Sequence, residues 1–251
     1  MTKGPAVTAA MAAALAASPA GAHDPLFGLG PHVLYQGGVE AALGWRGSEG
    51  GAGPGSLDLE LAYGLTGDWA AGLAVPLAGP SRRPAGDGGL RAEEAVAFTK
   101  WRFWRRDGLG VQESAAVALR APLGGAAGRS GLLGLAYGYE SRRWYRWASL
   151  RWGRASGAAE AGEGVRLRLD LAGGWRPRRR GYREPDAVWL LELNGERRQP
   201  APPGGRRWVA FLAPGLFWTL RNYAVKAGLQ LPLREGPGAG RRALLVLEGH
   251  W

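Results

Sequence analysis

Cysteine is absent from this sequence of 251 residues. The chain therefore forms no disulfide, presents no thiolate nucleophile and binds no metal through sulfur. Beyond residue 22 it also lacks any run of about 18 uninterrupted apolar residues, so we predict no transmembrane helix. If such a chain is secreted, its stability has to come from a large core or from a bilayer.

The first 22 residues have the three parts of a secretory signal peptide. Lys3 supplies a positive charge, residues 7–17 (VTAAMAAALAA) are apolar, and Ala20 to Ala22 resemble a cleavage site of small residues. A buried alanine-rich helix is the alternative. We predict cleavage before His23, which divides the chain into a signal peptide, residues 1–22, and a single domain, residues 23–251.

Acidic residues are fewer than basic ones, 21 against 32, which gives a net charge of +11. Many arginines fall in predicted loops or turns: Arg82, Arg83, Arg178 to Arg180, Arg206, Arg207, Arg241 and Arg242. Such clusters indicate solvated surface, pairing with anionic lipid headgroups, or nucleic-acid binding. Because a secreted protein does not meet nucleic acid in the cytoplasm, we predict no nucleic-acid partner.

Apolar residues recur at every second position in segments of about ten to fourteen residues, as in tilted spanning strands. In residues 56–65, for example, leucines and a tyrosine share one parity while Asp58 and Glu60 share the other. Pro214 predicts a bulge or bend in its strand. The predicted strands are residues 33–46, 56–65, 69–78, 92–105, 109–121, 132–140, 143–154, 165–176, 187–196, 207–220, 223–233 and 242–251.

The connections between these strands alternate between short turns and longer loops rich in glycine and proline. Outer-membrane barrels have this organisation, with short periplasmic turns and long external loops. A soluble sandwich or lipocalin would alternate too, but its loops would not sort by length. We therefore predict an all-β, antiparallel transmembrane β-barrel of outer-membrane type with about 12 strands. Ten or fourteen strands follow if residues 143–154 are misassigned or if residues 26–31 pair.

Aromatic residues stand at the turn-side ends of the apolar faces, where amphipathic rings prefer the headgroup level of a membrane. We predict that they anchor the barrel at the inner interface: Trp69, Tyr139, Trp175, Tyr223 and Trp251. An aromatic residue at the end of an alternating last strand also resembles the signal that the bacterial barrel-assembly machinery reads. That resemblance implies the assembly machinery as a partner. Outer-membrane lipid, and lipopolysaccharide at the arginine-rich loops, are the other predicted partners.

The polar parity of each strand is predicted to face the lumen. Its acids are Glu40, Asp58, Glu60, Glu94, Glu140, Asp170, Glu192, Glu196 and Glu248. Its bases are Lys100, Arg102, Arg120, Arg151, Arg166, Arg168, Arg176, Arg221 and Lys226. Because the two sets are equal in size, they indicate either a lumen braced by salt bridges or a polar conduit. The chosen lumen-lining candidates are Lys100, Arg102, Arg120, Arg166, Arg168 and Asp170.

Histidine is scarce, which limits enzyme chemistry. His23 and His32 precede the barrel and His250 lies at its inner end, so none stands beside a serine or threonine in the outer half. A weak metal site at His23 and Asp24 lacks clustered ligands, and an exposed N-terminal segment is expected instead. We predict no catalytic residues, no metal and no cofactor, and an outer-membrane esterase is the third functional hypothesis.

Four stretches resemble one bacterial outer-membrane family, the meta-pathway phenol-degradation proteins, described as transporters. The stretches are GPHVLYQGGVE (30–40), ELAYGLTGDWAAGLAVPL (60–77), KWRFWRRDGLG (100–110) and VALRAPLGG (117–125). The resemblance implies an outer-membrane barrel in a Gram-negative bacterium that takes up small aromatic or other hydrophobic solutes. The leading hypothesis is thus passive transport of small solutes, and the alternative is a closed structural or interaction barrel plugged by lumen ion pairs.

Overall fold

The computed structural model describes residues 24–48, 55–78, 91–92, 95–123, 130–155, 165–178, 184–199, 208–234 and 240–251. The predicted signal peptide, His23, Glu94 and most of the longer loops lie outside these residues. Within them, no helix is long and apolar enough to cross a membrane.

Twelve long antiparallel strands and one two-residue strand, β4, make up the described fold. They are β1 (Val39–Ser48), β2 (Ser56–Thr66), β3 (Trp69–Ala78), β4 (Arg91–Ala92), β5 (Val96–Gly108), β6 (Val111–Pro122), β7 (Ser130–Ser141), β8 (Trp144–Ala155), β9 (Val165–Trp175), β10 (Asp186–Gln199), β11 (Trp208–Leu220), β12 (Tyr223–Pro232) and β13 (Arg242–His250). β4 extends the pairing of β3. The twelve long strands pair in a ring, closed between β1 and β13, which confirms the predicted fold class.

The two faces of the wall differ as the alternation predicts. Large apolar side chains on the outer face are exposed, such as Leu61, Trp189 and Tyr223, while residues of the other parity such as Ala62, Val188 and Ala224 are buried inside. We call the end of the barrel with the short turns the turn end, and the opposite end the loop end. Both the start of β1 and the end of β13 lie at the turn end.

The first strand begins later than the sequence pattern predicts. β1 starts at Val39 rather than at Val33 because a turn precedes it, in which Gly37 has a φ of 80° and donates to the carbonyl of Gly64 at 2.8 Å. Only glycine adopts such a φ without strain. Residues 33–38 therefore leave the wall, and the prediction that they form part of a strand was wrong.

Pro214 does not produce the predicted bulge against β10, where the register runs through it without a shift. Instead the pairing of β11 with β12 is interrupted between Leu212 and Gly215. Because proline has no backbone N–H to donate, a ladder hydrogen bond is lost on this side of β11. Register shifts occur elsewhere, beside Gly64 in β2 and beside Arg102 in β5.

The apolar core of the described residues lies inside the barrel rather than between two sheets. Leu26, from the segment before β1, is buried among inward-facing side chains of β8, β10, β11, β12 and β13. These are Tyr145, Trp147, Val188, Leu190, Phe217, Ala224 and Leu244. One side of the lumen is therefore filled with apolar side chains, although most inward-facing strand positions elsewhere are polar or small.

The seam between β1 and β13 gives a direct test of closure. Val39 and Trp251 exchange two backbone hydrogen bonds, of 2.7 and 2.8 Å. We expect deletion of Trp251 to remove both and to lower the free energy of unfolding by about 2 kcal/mol. The folded fraction after refolding into lipid vesicles, read from heat-dependent gel migration, measures this effect. Trp251→Phe keeps both bonds and is the control; equal loss in the two variants contradicts a role for backbone closure.

Candidate functional site: the barrel lumen

Residues 24–35, which we call the N-terminal segment, run through the lumen instead of lying exposed as the sequence predicts. Wall side chains bind the backbone of this segment. Glu192 accepts hydrogen bonds from the N–H groups of Leu26 and Phe27, at 2.5 and 3.1 Å. Arg151 donates to the carbonyl of Phe27 at 2.5 Å, and Ser149 accepts from the N–H of Leu29 at 3.1 Å. An irregular backbone, bent at residues 26–28, thus finds partners without forming a strand.

A second tier of polar residues fixes these wall side chains. Asp170 accepts hydrogen bonds from Ser149 at 3.1 Å, from Arg151 at 2.6 Å and from Asn194 at 2.9 Å. Gln230 in turn donates to Asn194 at 2.7 Å. Because Asp170 is only 2% exposed, these donors offset the cost of burying its carboxylate, and the network holds the binding groups in one geometry.

Small wall residues give the N-terminal segment its space. A Cβ atom added at Gly215 would lie 2.0 Å from Cδ1 of Leu26, and one added at Gly134 would lie 2.6 Å from Cδ2 of Leu29. Real atoms do not approach so closely, so any larger side chain at these positions competes with the segment for volume. The lumen-facing glycines are therefore complementary in shape to the segment.

Ion pairs hold both ends of the segment. Asp24 accepts from Lys100 at 2.8 Å, and His32 contacts the carboxylate of Glu140. Burial on its own would raise the pKa of Asp24, but the charges of Lys100, His32 and Lys226 outweigh it and lower that pKa to about 2. Burial would lower the pKa of His32, yet Glu140 outweighs burial and raises it above 6.5.

Further ion pairs line the wall around the segment. Lys226 and Glu248 lie 2.6 Å apart, His250 and Glu40 lie 3.1 Å apart, and Arg120 and Glu60 lie 2.5 Å apart. Such pairing offsets the cost of placing charges in a narrow interior.

A cavity of about 280 Å³ remains beside the segment, lined mainly by β1, β2, β5 and β6, with residues of β3, β7, β8, β12 and β13 at its border. Glu40 and Glu248, near the turn end, and Arg46 and Arg120, near the loop end, all line it. One cavity therefore reaches wall residues from both ends of the strands. The apolar core packs against β8, β10 and β11 on the other side of the segment, and Leu26 borders both the core and the cavity.

The lumen-lining candidates fall in different surroundings. Asp170 is the centre of the network, while Lys100 and Arg120 line the cavity. Arg102 is buried against the turn between β2 and β3, where it pairs with Asp68 at 2.7 Å. Arg166 and Arg168 follow the inward parity of β9, with Arg168 opposite Glu196 and Arg166 exposed.

The structure also places Arg221 and the five predicted interface anchors. Arg221, predicted to face the lumen, instead lies exposed in the turn before β12 with a φ of 53°. The predicted interface anchors all follow the outward parity; Trp69, Trp175, Tyr223 and Trp251 are exposed there and Tyr139 is half-buried.

The described histidines do not form a hydrolytic arrangement. His32 contacts Glu140, and His250 contacts Glu40 and Glu248, so their partners are carboxylates rather than a serine or threonine hydroxyl. Among the residues the structure describes, no cluster of three or more histidine, aspartate or glutamate side chains could hold a metal ion.

The fold is similar to that of solved outer-membrane barrels. The NanC porin in a rhombohedral crystal form has a TM-score of 0.54 and 10% identity over 84% of this chain and 98% of that one. The KdgM porin in complex with disordered oligogalacturonate has a TM-score of 0.49 and 8% identity over 84% and 98%. No family model and no curated protein matches the sequence. At such low identity the similarity to the first of these establishes only the outer-membrane type of β-barrel fold, and membership of the phenol-degradation family stays a prediction.

Gly215→Val tests whether wall glycines make room for the segment. We expect the new side chain to displace Leu26 and expose the segment, because the added atoms would overlap it. Leu29→Cys, introduced as the only thiol, should then react with a water-soluble maleimide about tenfold faster, the ratio that ~1.4 kcal/mol of lost docking gives. Gly44→Val is the control, since a Cβ there meets no atom closer than 3.8 Å. Equal rates in the two variants would show that the segment does not need this space.

The pKa of His32 predicts that docking depends on pH. Because docking raises this pKa above 6.5, protonated His32 stabilises the docked segment fully below pH 6.5, and the contribution is lost as pH rises through the docked value. We expect amide hydrogen exchange in residues 24–35, corrected for intrinsic rates, to lose protection on the alkaline side. His32→Gln should abolish the dependence. If the pH dependence of exchange persists in full in His32→Gln, another group is responsible for it.

Proposed function

We propose that this protein is an outer-membrane channel through which small polar solutes pass by diffusion, in a lumen narrowed by its own N-terminal segment. The cavity beside the segment carries this proposal. It is lined by side chains from both ends of the wall. In a barrel that is packed only for stability, we would expect no polar cavity along the strands.

The outer surface supports a membrane location. Exposed leucines cover the middle of the strands, whereas tryptophans and tyrosines stand toward both ends, such as Trp69, Trp175 and Tyr223 at the turn end and Trp45, Trp152 and Trp208 toward the loop end. A bilayer stabilises this distribution, since apolar side chains meet the hydrocarbon and amphipathic rings meet the headgroups. We assign the turn end to the periplasmic side because its connections are short, and propose recognition of the last strand by the assembly machinery and contact of the loop end with lipopolysaccharide.

The cavity lining favours polar solutes over the apolar aromatic ones that the family resemblance implies. Charged side chains of both signs, including Asp58, Glu60, Lys100 and Arg120, face it. Entry of an apolar molecule would remove water from these groups without replacing its hydrogen bonds.

The second candidate function is a closed structural or interaction barrel. The buried cluster around Leu26 favours it, because this cluster fills one side of the lumen with packed apolar side chains. The two functions differ in conductance, because an open path conducts ions and a packed interior does not.

The variant Glu192→Ala distinguishes the channel from the closed barrel. We expect single-channel steps from residues 23–251 in a planar lipid bilayer, and about a tenfold higher open probability in the variant, because two backbone N–H groups of the segment lose a charged acceptor. Glu196→Ala, on the same face of the same strand but paired with Arg242, is the matched control. Folded protein that shows no conductance in any of the three forms would contradict the channel and support the closed barrel.

A further inference from the structure

Four charged side chains gather where the cavity approaches the loop end. Arg46 projects from β1, Asp58 and Glu60 from β2, and Arg120 from β6. We call these residues the charge quartet. Two guanidinium groups and two carboxylates thus line one part of the cavity, in the pairs Arg46–Asp58 at 3.3 Å and Arg120–Glu60 at 2.5 Å.

The pairs in the quartet are more open to exchange than those deeper in the lumen. The side chain of Arg46 is 63% exposed, and those of Arg120 and Glu60 are 38% and 33% exposed. By contrast, Lys226 and Glu248 are each 9% exposed. Ion pairs that water reaches contribute little net free energy, so a ligand can replace one partner at low cost.

One acceptor in the quartet also lacks a hydrogen bond. Oδ2 of Asp58 is buried from solvent and has no hydrogen-bond partner, although the guanidinium of Arg46 lies near it. A buried carboxylate oxygen without a donor is costly, and a ligand that brings an N–H donor would remove that cost.

Apolar surface lies next to these charges. The ring of Phe98 lies under the guanidinium of Arg120, with 5.1 Å from Cζ to the ring centroid. Leu132 of β7, the register partner of Arg120, lines the same cavity. A ligand that fits therefore combines an apolar part with charged groups.

We propose that the charge quartet binds small zwitterions, molecules that carry an ammonium and a carboxylate together with an apolar group. The ammonium donates to Asp58 or Glu60, while the carboxylate accepts from Arg46 or Arg120. A molecule with only one charge gains one of these interactions and meets a like charge beside it. This inference rests on the proposed channel function and specifies its substrate class.

Three probes with the same phenyl skeleton test the inference: phenylalanine as the zwitterion, 2-phenylethylamine as the cation and 3-phenylpropionate as the anion. Each probe is titrated over the same concentration range on the loop-end side of a bilayer that contains the full mature chain. The block of single-channel current is measured at each concentration. We expect phenylalanine to block at a concentration at least about tenfold lower than either singly charged probe, because it alone makes both charge-assisted bonds.

Two variants identify the site. Arg120→Gln should reduce the advantage of phenylalanine over the cation, and Glu60→Gln its advantage over the anion, each by about tenfold. Arg242→Gln is the matched control, because it removes an arginine that does not line the cavity and pairs instead with Glu196 at 3.7 Å. The control should keep the preference of the unmodified chain.

The outcomes separate this inference from the channel proposal. Conductance without preference for phenylalanine would overturn the zwitterion site and leave the channel intact. Preference that Arg120→Gln and Glu60→Gln leave unchanged would also overturn the assignment to the quartet. Absence of conductance in every form would contradict the channel itself.

Discussion

The carboxylate of Glu192, which accepts two backbone N–H groups of the N-terminal segment, is the interaction on which the arrangement of the lumen depends. An irregular backbone enters a narrow interior only if its polar groups find partners there. Glu192, Ser149 and Arg151 supply donors and acceptors at the required heights, and Asp170 holds two of the three in place. Without this set, twelve strands would enclose more space than their own side chains fill.

Docking of the segment also explains why the lumen has two unlike sides. Leu26 completes an apolar cluster with β8, β10 and β11, so that side is packed. The other side keeps a polar cavity, in which Lys100 faces both Asp24 of the segment and the open space. Charge pairs that neutralise each other along this cavity lower the cost of burying charge while leaving the space hydrated. The same pairs suit solutes that carry both charges.

Much of the wall can be predicted from the sequence, because a two-residue period and a bilayer constrain every strand in the same way. β3 begins and ends where the alternation of Trp69 to Ala78 does. The lumen content could not be predicted in this way. Residues 24–35 have no periodicity, and their position depends on partners more than 100 residues away, such as Glu192 for Leu26 and Glu140 for His32. Gly134 and Gly215 were the feature of the sequence that could have indicated a docked segment. Small residues at inward-facing positions leave space in the lumen that another part of the chain can fill.

A disulfide between the segment and the wall tests the central claim that residues 24–35 occupy the lumen. The chain has no cysteine, so Leu29→Cys with Gly134→Cys creates a single pair, at positions where an added Cβ would lie 2.6 Å from Cδ2 of Leu29. Folded protein in vesicles is oxidised, and cross-linked peptides are identified by mass spectrometry. The account predicts rapid cross-linking for this pair and none for Leu29→Cys with Gly131→Cys, where an added Cβ meets no neighbour within 4 Å. Absence of the cross-link at position 134, or equal cross-linking at both positions, would contradict a docked segment.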